Sequence, residues 1–420
     1  MKLKKVMAAS LAVLTMASFS AFAAKAKKVK FSWWHIGTAD KDKIFFQNVA
    51  DEFMKANPNV EIDITVLENE AFKSKLTTVM QSKNPPDVFT TWGGGVLQEY
   101  AAAGLVKDIT KDIKGDFKNS MSEGVWQPYQ YKGKQYGVPH DMGAVTFWYN
   151  KDFLAKVGYD SFPTDWNDFI ALVKKLKAAG ITPIALGGGD KWPAMYYFSY
   201  LALRLGGANL FPNLTAPNSK GFNDPAFIKA MTMFKELVDL NPFQTGYLGA
   251  TYNDQGTAMG NGKAAMELMG QWAPTVEMDT SVDKKGIGDA LACAPFPGIS
   301  GGKGKISEVM GGGGGFAIGK KAPKEAIAFL KYLDSKEVNT AYARTGGIIP
   351  TVKGAEVGLA DANARLVKSV VDKSTSYMLY PDQDLSPAQG AALNDNVQAV
   401  LAGTKTPAQA CAAMQEALED

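Results

Sequence analysis

The sequence predicts an α/β protein made of two lobes, on the evidence of its length, its alternation of elements and a change of pattern. The chain has 420 residues, which is too long for one ordinary hydrophobic core. Strand-like and helix-like segments alternate from the start, an order typical of a parallel sheet with helices on its faces. Near residues 131–153 the composition changes, and a second set of elements begins. We therefore expect two lobes, each with its own core.

Residues 1–23 predict a cleaved signal peptide. They begin with the basic head "MKLKK", continue as an apolar run rich in small residues, and end in Ala21-Phe22-Ala23, the A-x-A pattern of a cleavage site. The run is near the lower length limit for a membrane span, but its small residues and the A-x-A pattern favour cleavage. No cysteine follows the run to carry a lipid anchor, and no comparable apolar stretch occurs later. We expect a soluble, exported mature protein.

The net charge excludes two classes of partner. The full chain carries +3, and residues 1–23 hold Lys2, Lys4 and Lys5 without an acidic residue, so the mature chain is formally neutral. Such a chain lacks the positive field that attracts nucleic acid or an anionic membrane surface. We expect neither as a partner.

The first lobe is predicted to start as a doubly wound parallel sheet. The predicted elements, in order, are strand 28–35, helix 40–58, strand 60–68, helix 71–84 and strand 85–92. Ligands of such sheets bind beyond the carboxyl ends of the strands. His35, Glu70 and Trp92 stand at or just past those ends.

The second lobe is predicted from a further set of amphipathic helices. Asp165 and Asp224 stand near two of the helix starts, where a carboxylate favours the positive end of the helix dipole. The predicted helices of this lobe are 164–180, 195–207 and 224–240. Further along the chain the pattern returns to a strand over 311–319 and a helix over 322–345, and a helical tail follows over 386–420.

Catalytic and cofactor motifs are absent or incomplete. "GISGG" at 298–302 matches the nucleophile elbow, but the required histidine should follow the serine, and both His35 and His140 precede it. The glycine run 311–316 lacks the Lys-Ser/Thr of a phosphate-binding loop. Two histidines and two cysteines, widely separated, make a transition-metal site improbable. We expect no metal, no cofactor and no catalytic residue.

One enzymatic alternative stays open. A glycosidase needs only two carboxylates about 5–9 Å apart. Glu70, Asp141 and Asp382 are the carboxylates to test.

Eight segments, spread over nearly the whole mature chain, carry a family resemblance. They are "FSWWH", "FMKANPNVEIDI", "PPDVFTTWGGGVLQEYAAAGLVKDI", "GKQYGVPHDMGAVTFWYNKDFLAKVG", "TDWNDFIALVKKLKAAGITPIAL", "NGKAAMELMGQW", "GGGGGFAI" and "GGIIP". In these segments the chain resembles the extracellular sugar-binding proteins of ABC importers, solute-binding protein family 1, and is similar to maltose-binding protein.

The resemblance implies a type II-like periplasmic-binding-protein fold. Each lobe would be a doubly wound, mainly parallel sheet, with the ligand cleft at the hinge. The family pattern places hinge crossings near 138–144, 296–302 and 346–350. The N-terminal lobe would then comprise 25–143 plus 303–346, and the C-terminal lobe 144–302 plus 347–420.

The resemblance also implies function. A periplasmic protein of this family captures its sugar by lobe closure and delivers it to the membrane permease of an ABC importer, without catalysis and as a monomer. The ligand contacts that the resemblance implies are Trp34, His35, Glu70, Trp92, Gly93, His140, Asp141, Asp190, Trp192, Tyr196, Gln271, Trp272, Gly313, Tyr380 and Asp382.

These residue types suit a neutral sugar. Aromatic rings cover the C–H face of a pyranose, while carboxylates, amides and imidazoles bind its hydroxyls. Side chains alternate along a strand, so we expect Trp33 in the core and Trp34 at the ligand. Trp126, Trp148 and Trp166 are expected to pack in the core, whereas Trp92, Trp192 and Trp272 are expected to contact the sugar.

Several alternatives stay open. His35 and His140 are either ligand contacts or satisfied structural histidines, and the glycine runs 93–95 and 311–315 are either simple turns or places of close backbone approach. Cys293 and Cys411 either pair or stay as thiols. The ligand is alternatively a polyamine, a peptide or a ferric ion, although the abundance of tryptophan relative to acids favours sugar.

Overall fold

The computed structural model describes residues 27–346 and 348–419. The predicted signal peptide lies outside these residues. Within the described ranges, no helix has both the length and the apolar character that crossing a membrane requires.

The described chain consists of short strands and longer helices in alternation. The strands are β1 (Val29–His35), β2 (Val60–Val66), β3 (Val88–Thr91), β4 (Gln130–Tyr131), β5 (Lys134–Gln135), β6 (Gly137–Pro139), β7 (Asp141–Met142), β8 (Thr146–Asn150), β9 (Met266–Met269), β10 (Leu291–Ala294), β11 (Glu308–Met310), β12 (Gly315–Ile318), β13 (Ile349–Pro350) and β14 (Ser376–Met378).

The helices contain more residues than the strands. They are α1 (Asp40–Ala56), α2 (Asn69–Met80), α3 (Gly94–Ala102), α4 (Asp116–Asn119), α5 (Glu123–Trp126), α6 (Lys151–Lys156), α7 (Trp166–Ala178), α8 (Trp192–Gly206), α9 (Pro225–Asp239), α10 (Tyr252–Gly260), α11 (Ala273–Thr280), α12 (Lys324–Leu333), α13 (Lys336–Arg344), α14 (Ala362–Asp372), α15 (Pro381–Asp384), α16 (Pro387–Leu401) and α17 (Pro407–Glu419).

The first lobe contains the predicted parallel sheet. Its strand order is β2-β1-β3-β12-β6, with β1 parallel to both β2 and β3. The returning strand β12 runs antiparallel to β3 and β6. Trp33 is fully buried, as predicted, and packs edge-on against Phe46, Phe316 and Phe329 at centroid distances of 5.2, 5.6 and 4.9 Å. This cluster joins β1 to α1, β12 and α12.

The second lobe confirms the α/β class but not the predicted strand direction. Its sheet has the order β10-β8-β9, and both pairings are antiparallel. The prediction of a mainly parallel sheet is therefore wrong for this lobe. At Ile184, parallel pairing is limited to isolated bridges to Met266 and Phe243. Pro183 precedes Ile184 and has no N–H to extend that ladder.

Buried aromatic residues fill the second core. Trp148 and Trp166 pack there, and Trp126 packs in the first core, all as predicted. Trp148 Nε1 donates to the carbonyls of Met269 and Gly270 at 3.2 and 3.0 Å. This holds the strand end that leads into Gln271 and Trp272.

The two cysteines do not pair. Cys293 lies on β10 and Cys411 on α17, and both are free thiols. Burial raises the pKa of each to about 12. The alternative with two thiols is the one that the structure contains.

Three chain segments run side by side between the lobes. β7 pairs with β13, Ala144 forms a bridge to Gly311, and residues 311–314 lead back into β12. A Cβ at Gly313 would lie 1.6 Å from the Asp141 carbonyl oxygen, so the crossing requires glycine there.

The expected crossing near 296–302 lies instead within the second lobe. The fully buried Arg204 of α8 donates to the carbonyls of Phe296, Pro297 and Glu308 at 3.0, 3.1 and 2.8 Å. This packing favours a crossing about ten residues later, in the glycine run.

The lobe boundaries remain a prediction, and packing favours two adjustments. Val309 and Met310 join the second core, whereas Val352 and Ala355 join the first. The chain therefore enters the first lobe near Gly311 and leaves it after Ala355.

Candidate functional site

A cavity of about 220 Å³ lies between the lobes, at the carboxyl ends of β1 and β3. The structure brings most of the predicted contacts together here. Those that line the cavity are His35, Trp92, His140, Asp141, Trp192, Tyr196, Gln271, Trp272, Gly313, Tyr380 and Asp382.

A second cavity of about 320 Å³ adjoins the first, from which it is separated by Lys73, Trp92 and Asp382. Glu70 and Asp190, both predicted as ligand contacts, line this second cavity and not the first. Asp190 has a structural partner, since its Oδ2 accepts the Tyr252 backbone N–H at 2.7 Å, at the start of α10.

Aromatic rings form the second-lobe wall of the first cavity. Trp192 lies 5.4 Å from Tyr196 and 5.2 Å from Tyr252, centroid to centroid. Tyr380 continues the row at 5.8 Å from Tyr196 and 6.3 Å from Trp272. On the first-lobe side, Trp92 lines the cavity together with Phe46, Phe316 and Tyr342. The arrangement gives flat apolar surface on both sides of the cavity.

Several buried polar atoms of the lining have no hydrogen-bond partner within the described ranges. They are His35 Nε2, Asn69 Oδ1, His140 Nε2, Trp192 Nε1, Tyr252 Oη and Gln271 Oε1. Because an unmade buried hydrogen bond is costly, such atoms are candidates for contact with a ligand. The set includes both donors and acceptors.

His35 is a neutral donor. Its Nδ1 accepts the Gly37 N–H at 3.2 Å, which leaves the proton on Nε2. Burial, and secondarily the neighbouring His140, lower the pKa of His35 to about 3. The imidazole therefore presents an N–H without a charge.

His140 is partly committed to the fold. Its Nδ1 lies 2.7 Å from Asp334 Oδ1, at the junction of α12 and α13. Burial alone would lower the pKa of His140, but the charge of Asp334 and its hydrogen bond outweigh burial and raise it. Burial also raises the pKa of Asp334. Of the ring nitrogens, Nε2 is the one left for a ligand.

Asp141 links the lobes through the cavity floor. Its Oδ1 accepts the Gly314 N–H, and its Oδ2 accepts from Gln271 Nε2 at 3.3 Å. Burial raises its pKa to about 6. A Cβ at Gly143 would lie 1.7 Å from Gln271 Oε1, so this glycine makes room for the amide.

Lys73 is a lining residue that the sequence reasoning missed. Its Nζ lies 3.1 Å from Glu70 and 3.7 Å from Asp382, and thus joins α2 of the first lobe to α15 of the second. Glu70 and Lys73 are three residues apart on a helix, a spacing that places them on one face. That spacing was the feature of the sequence from which Lys73 could have been predicted beside Glu70. Tyr252 and Asn69 were also missed.

Two predicted contacts reach neither cavity. Trp34 points away from Trp33 and His35, and Lys75 Nζ lies 4.9 Å from the centre of its ring. His35, not Trp34, shares the inner face with Trp33, so the structure gives no support to the predicted ligand contact of Trp34. Gly93 is fixed by its backbone, with a φ of +79° and Pro128 O only 2.5 Å from a hypothetical Cβ.

The neighbouring glycines serve close approach between lobes. A Cβ at Gly94 would lie 2.5 Å from Gln383 O, and one at Gly95 would lie 2.5 Å from Leu385 O. Both backbone oxygens belong to the second lobe. The run is therefore more than a turn, since it lets α3 contact the opposite lobe.

Comparison with known proteins points in one direction. The profile of a family described as bacterial extracellular solute-binding proteins matches residues 39–340. An uncharacterized ABC transporter extracellular-binding protein of Pyrococcus horikoshii is 30% identical over 249 residues, which are 58% of this chain and 55% of that relative.

Other similarities extend over more of the chain. The multiple sugar-binding protein of Streptococcus mutans is 26% identical over 352 residues, 81% of this chain and 80% of that protein. A solved structure from work on xylan utilization by the thermophilic bacterium Caldanaerobius polysaccharolyticus has a TM-score of 0.86 at 28% identity. It covers 92% of this chain and 99% of its own.

Proposed function

The chain belongs to the family of bacterial extracellular solute-binding proteins, and we propose that it captures a carbohydrate in the periplasm for an ABC importer. The ligand is an oligosaccharide that is held by lobe closure and delivered to the membrane permease. The protein acts as a monomer after removal of residues 1–23 and catalyses no reaction on the sugar.

The cavity lining is the observation that supports this function best. Trp92 faces an aromatic wall that includes Trp192 and Trp272 across the cavity, a geometry suited to the two C–H faces of a pyranose. The same lining contains the unpartnered donors and acceptors described above. Sugar hydroxyls both donate and accept, so they satisfy both kinds of group.

The affinity required is within reach of such a site. Micromolar binding corresponds to about 8 kcal/mol. Each stacked ring contributes about 0.5–1.5 kcal/mol beyond its buried area, and each hydrogen bond a net of about 0.5–1.5 kcal/mol. Three rings and about six hydrogen bonds are sufficient and leave room for ordering costs.

A polyamine is less well suited to this cavity. Three of the four lining carboxylates, Asp42, Asp141 and Asp382, already have donors. Asp42 Oδ1 accepts the Tyr342 hydroxyl at 2.9 Å, and Asp382 accepts from Gln383 and Asn394 at 3.0 and 3.2 Å. Lys73 adds a positive charge. A polycation would find few free carboxylate oxygens there.

A ferric ion is disfavoured by the state of the tyrosines. Burial raises the pKa of Tyr196 and Tyr380 well above the ordinary value. Iron ligation requires a tyrosinate, which this environment opposes.

Closure is supported by contacts between the lobes around the cavity. Lys73 reaches Asp382 at 3.7 Å, and Asp279 Oδ2 of α11 accepts the Asp40 N–H at the start of α1 at 2.8 Å. These contacts are polar and few, as expected of lobes that separate and rejoin.

A thermal-shift panel tests the proposal. The panel contains maltotriose, xylotriose, raffinose and chitobiose, with spermidine, a tripeptide and ferric citrate as rivals. A sugar present at one hundred times its Kd should stabilise the protein by about 2.7 kcal/mol. The proposal would be contradicted if only a rival compound raised the melting temperature, or if none of the compounds did. Chromatography of the incubated sugars should show no new product, and turnover would identify an enzyme.

A further inference from the structure

Two buried carboxyl groups face each other in the second lobe without lining either cavity. Glu267 on β9 is 0% exposed and Glu277 on α11 is 1% exposed. Each carboxyl group is close enough to the other to shift its pKa. Glu267 Oε2 also accepts from Gln255 Nε2 at 2.6 Å.

The remaining oxygens of this carboxyl pair lack donors. Glu267 Oε1 and both carboxyl oxygens of Glu277 have no hydrogen-bond partner within residues 27–346 and 348–419. No ion pair in those ranges involves either residue. Two ionised carboxylates can only accept, so they cannot satisfy each other. A single proton converts them into a donor and an acceptor.

The surroundings favour retention of that proton. The groups that face the pair from the packed elements are uncharged: Tyr252 and Gln255 on α10, and Tyr197 on α8. Burial raises the pKa of both carboxyl groups, and the charge of Glu267 raises that of Glu277 further.

The carboxyl pair lies where α10 and α11 meet. A Cβ at Gly260 of α10 would lie 2.1 Å from Glu277 O, and one at Gly256 would lie 2.9 Å from Val276 Cγ1. The two helices therefore touch at the level of Glu277. Tyr252 begins α10 and Trp272 directly precedes α11, and both line the cavity between the lobes.

On the premise of the proposed function, we propose that Glu267 and Glu277 share one proton and that this protonated pair positions Tyr252 and Trp272 for the sugar. A second negative charge between the helices would repel the first and separate α10 from α11. Both residues are positioning residues, because neither touches the cavity.

The proton is tested without any ligand. An acid whose pKa is higher in the folded than in the unfolded chain takes up a proton on folding, so its contribution to stability is lost as pH rises toward the folded pKa. E277Q keeps a donor toward Glu267 but cannot ionise. The melting temperature of E277Q relative to wild type should therefore increase from pH 5 to pH 8.

The matched control is E236Q, at an exposed position on α9 of the same lobe. Its melting temperature should follow wild type across the range. Parallel curves for E277Q and wild type would overturn the shared proton. An infrared band of a protonated carboxyl at pH 7 should be present in wild type and lost in E277Q.

The positioning role is tested by titrating, at pH 7, the sugar of the panel above that gives the largest thermal shift. E277Q should bind within twofold of wild type, whereas E277D, which is too short to reach Glu267, should bind at least fivefold more weakly. Unchanged binding by E277D would overturn the positioning role. If wild type binds no sugar, the proposed function fails, while the pH curves still decide the shared proton.

Discussion

At the scale of single residues, Trp272 is the side chain on which the proposed site depends most. It lies at the start of α11, partly exposed to the cavity, with Gly270 packed under its ring. W272A should weaken sugar binding at least tenfold, since loss of one stacked ring removes about 1.4 kcal/mol or more. The melting temperature of the free protein should hardly change. Calorimetric titration and a thermal scan measure both quantities.

The control for this substitution is W34A. Trp34 was also predicted at the ligand, but in the structure it lies against Lys75 on the other face of β1. W34A should leave the affinity within about twofold of wild type. Equal losses in both variants would mean that the assignment of the two tryptophans to different environments is wrong.

Asp141 should make binding depend on pH. Burial raises its pKa to about 6, so it is ionised at neutral pH and accepts from Gly314 and Gln271. Sugar affinity should be constant above pH 7 and fall severalfold by pH 5, because one unit below the pKa most molecules are protonated. The same raised pKa has the opposite effect on folding, since the contribution of Asp141 to stability increases as pH falls.

Titration calorimetry from pH 5 to pH 8 measures this dependence. D141N should abolish the dependence of sugar affinity on pH, and it should bind the sugar more weakly than wild type at pH 7. An affinity that is independent of pH in wild type would show that the Asp141 carboxylate is not needed by the ligand.

At the residue scale, sequence could predict which types of residue gather but not every orientation. Alternation along β1 showed that the side chains of Trp33 and Trp34 point to opposite faces of the sheet, and it correctly placed Trp33 in the core. It could not show that the cavity lies on the same face as Trp33, which depends on how the lobes meet. For that reason His35 lines the cavity and Trp34 does not.

At the scale of elements, the N-terminus of α1 offers a test of lobe closure. Its N-cap residue, Ala39, has no side chain to accept the first N–H groups, and Asp279 of the opposite lobe accepts that of Asp40 instead. A capping contact of this kind is worth about 0.5–2 kcal/mol. D279A should therefore weaken sugar binding by roughly two- to thirtyfold without touching the ligand.

X-ray scattering separates this effect from a loss of ligand contacts. Ligand-free D279A should have a larger radius of gyration than wild type, and saturating sugar should remove the difference. The exposed Asp289→Ala serves as the control. Weaker binding with no change in the free radius would contradict a role for Asp279 in closure.

Helices were easier to predict than sheets because their periodicity is local. The helix predicted over 40–58 is observed over Asp40–Ala56, and that over 164–180 over Trp166–Ala178. The single helix predicted over 322–345 is in fact α12 and α13, since Ser335 caps a new start by accepting the Val338 N–H at 3.4 Å. The break places Asp334 beside His140. Strand direction in the second lobe depends on partners more than one hundred residues apart, which no local pattern reveals.

At the scale of the whole molecule, two cores are joined by crossing segments, and a cavity lies where the lobes face each other. The family resemblance predicted two lobes with a cleft between them and eleven of the residues that line the cavity. It could not predict Lys73, whose role arises only when α2 and α15 of opposite lobes are brought to 3.7 Å. Contacts between lobes are set by closure and leave no local pattern in the sequence.

A crystal structure with the tightest-binding sugar of the panel tests the central claim most directly. The account predicts a pyranose in the cavity, with its C–H face on Trp272 and a hydroxyl within hydrogen-bond distance of His35 Nε2 or Asp141. A sugar bound on the outer surface, with the cavity closed over by its own side chains, would contradict it.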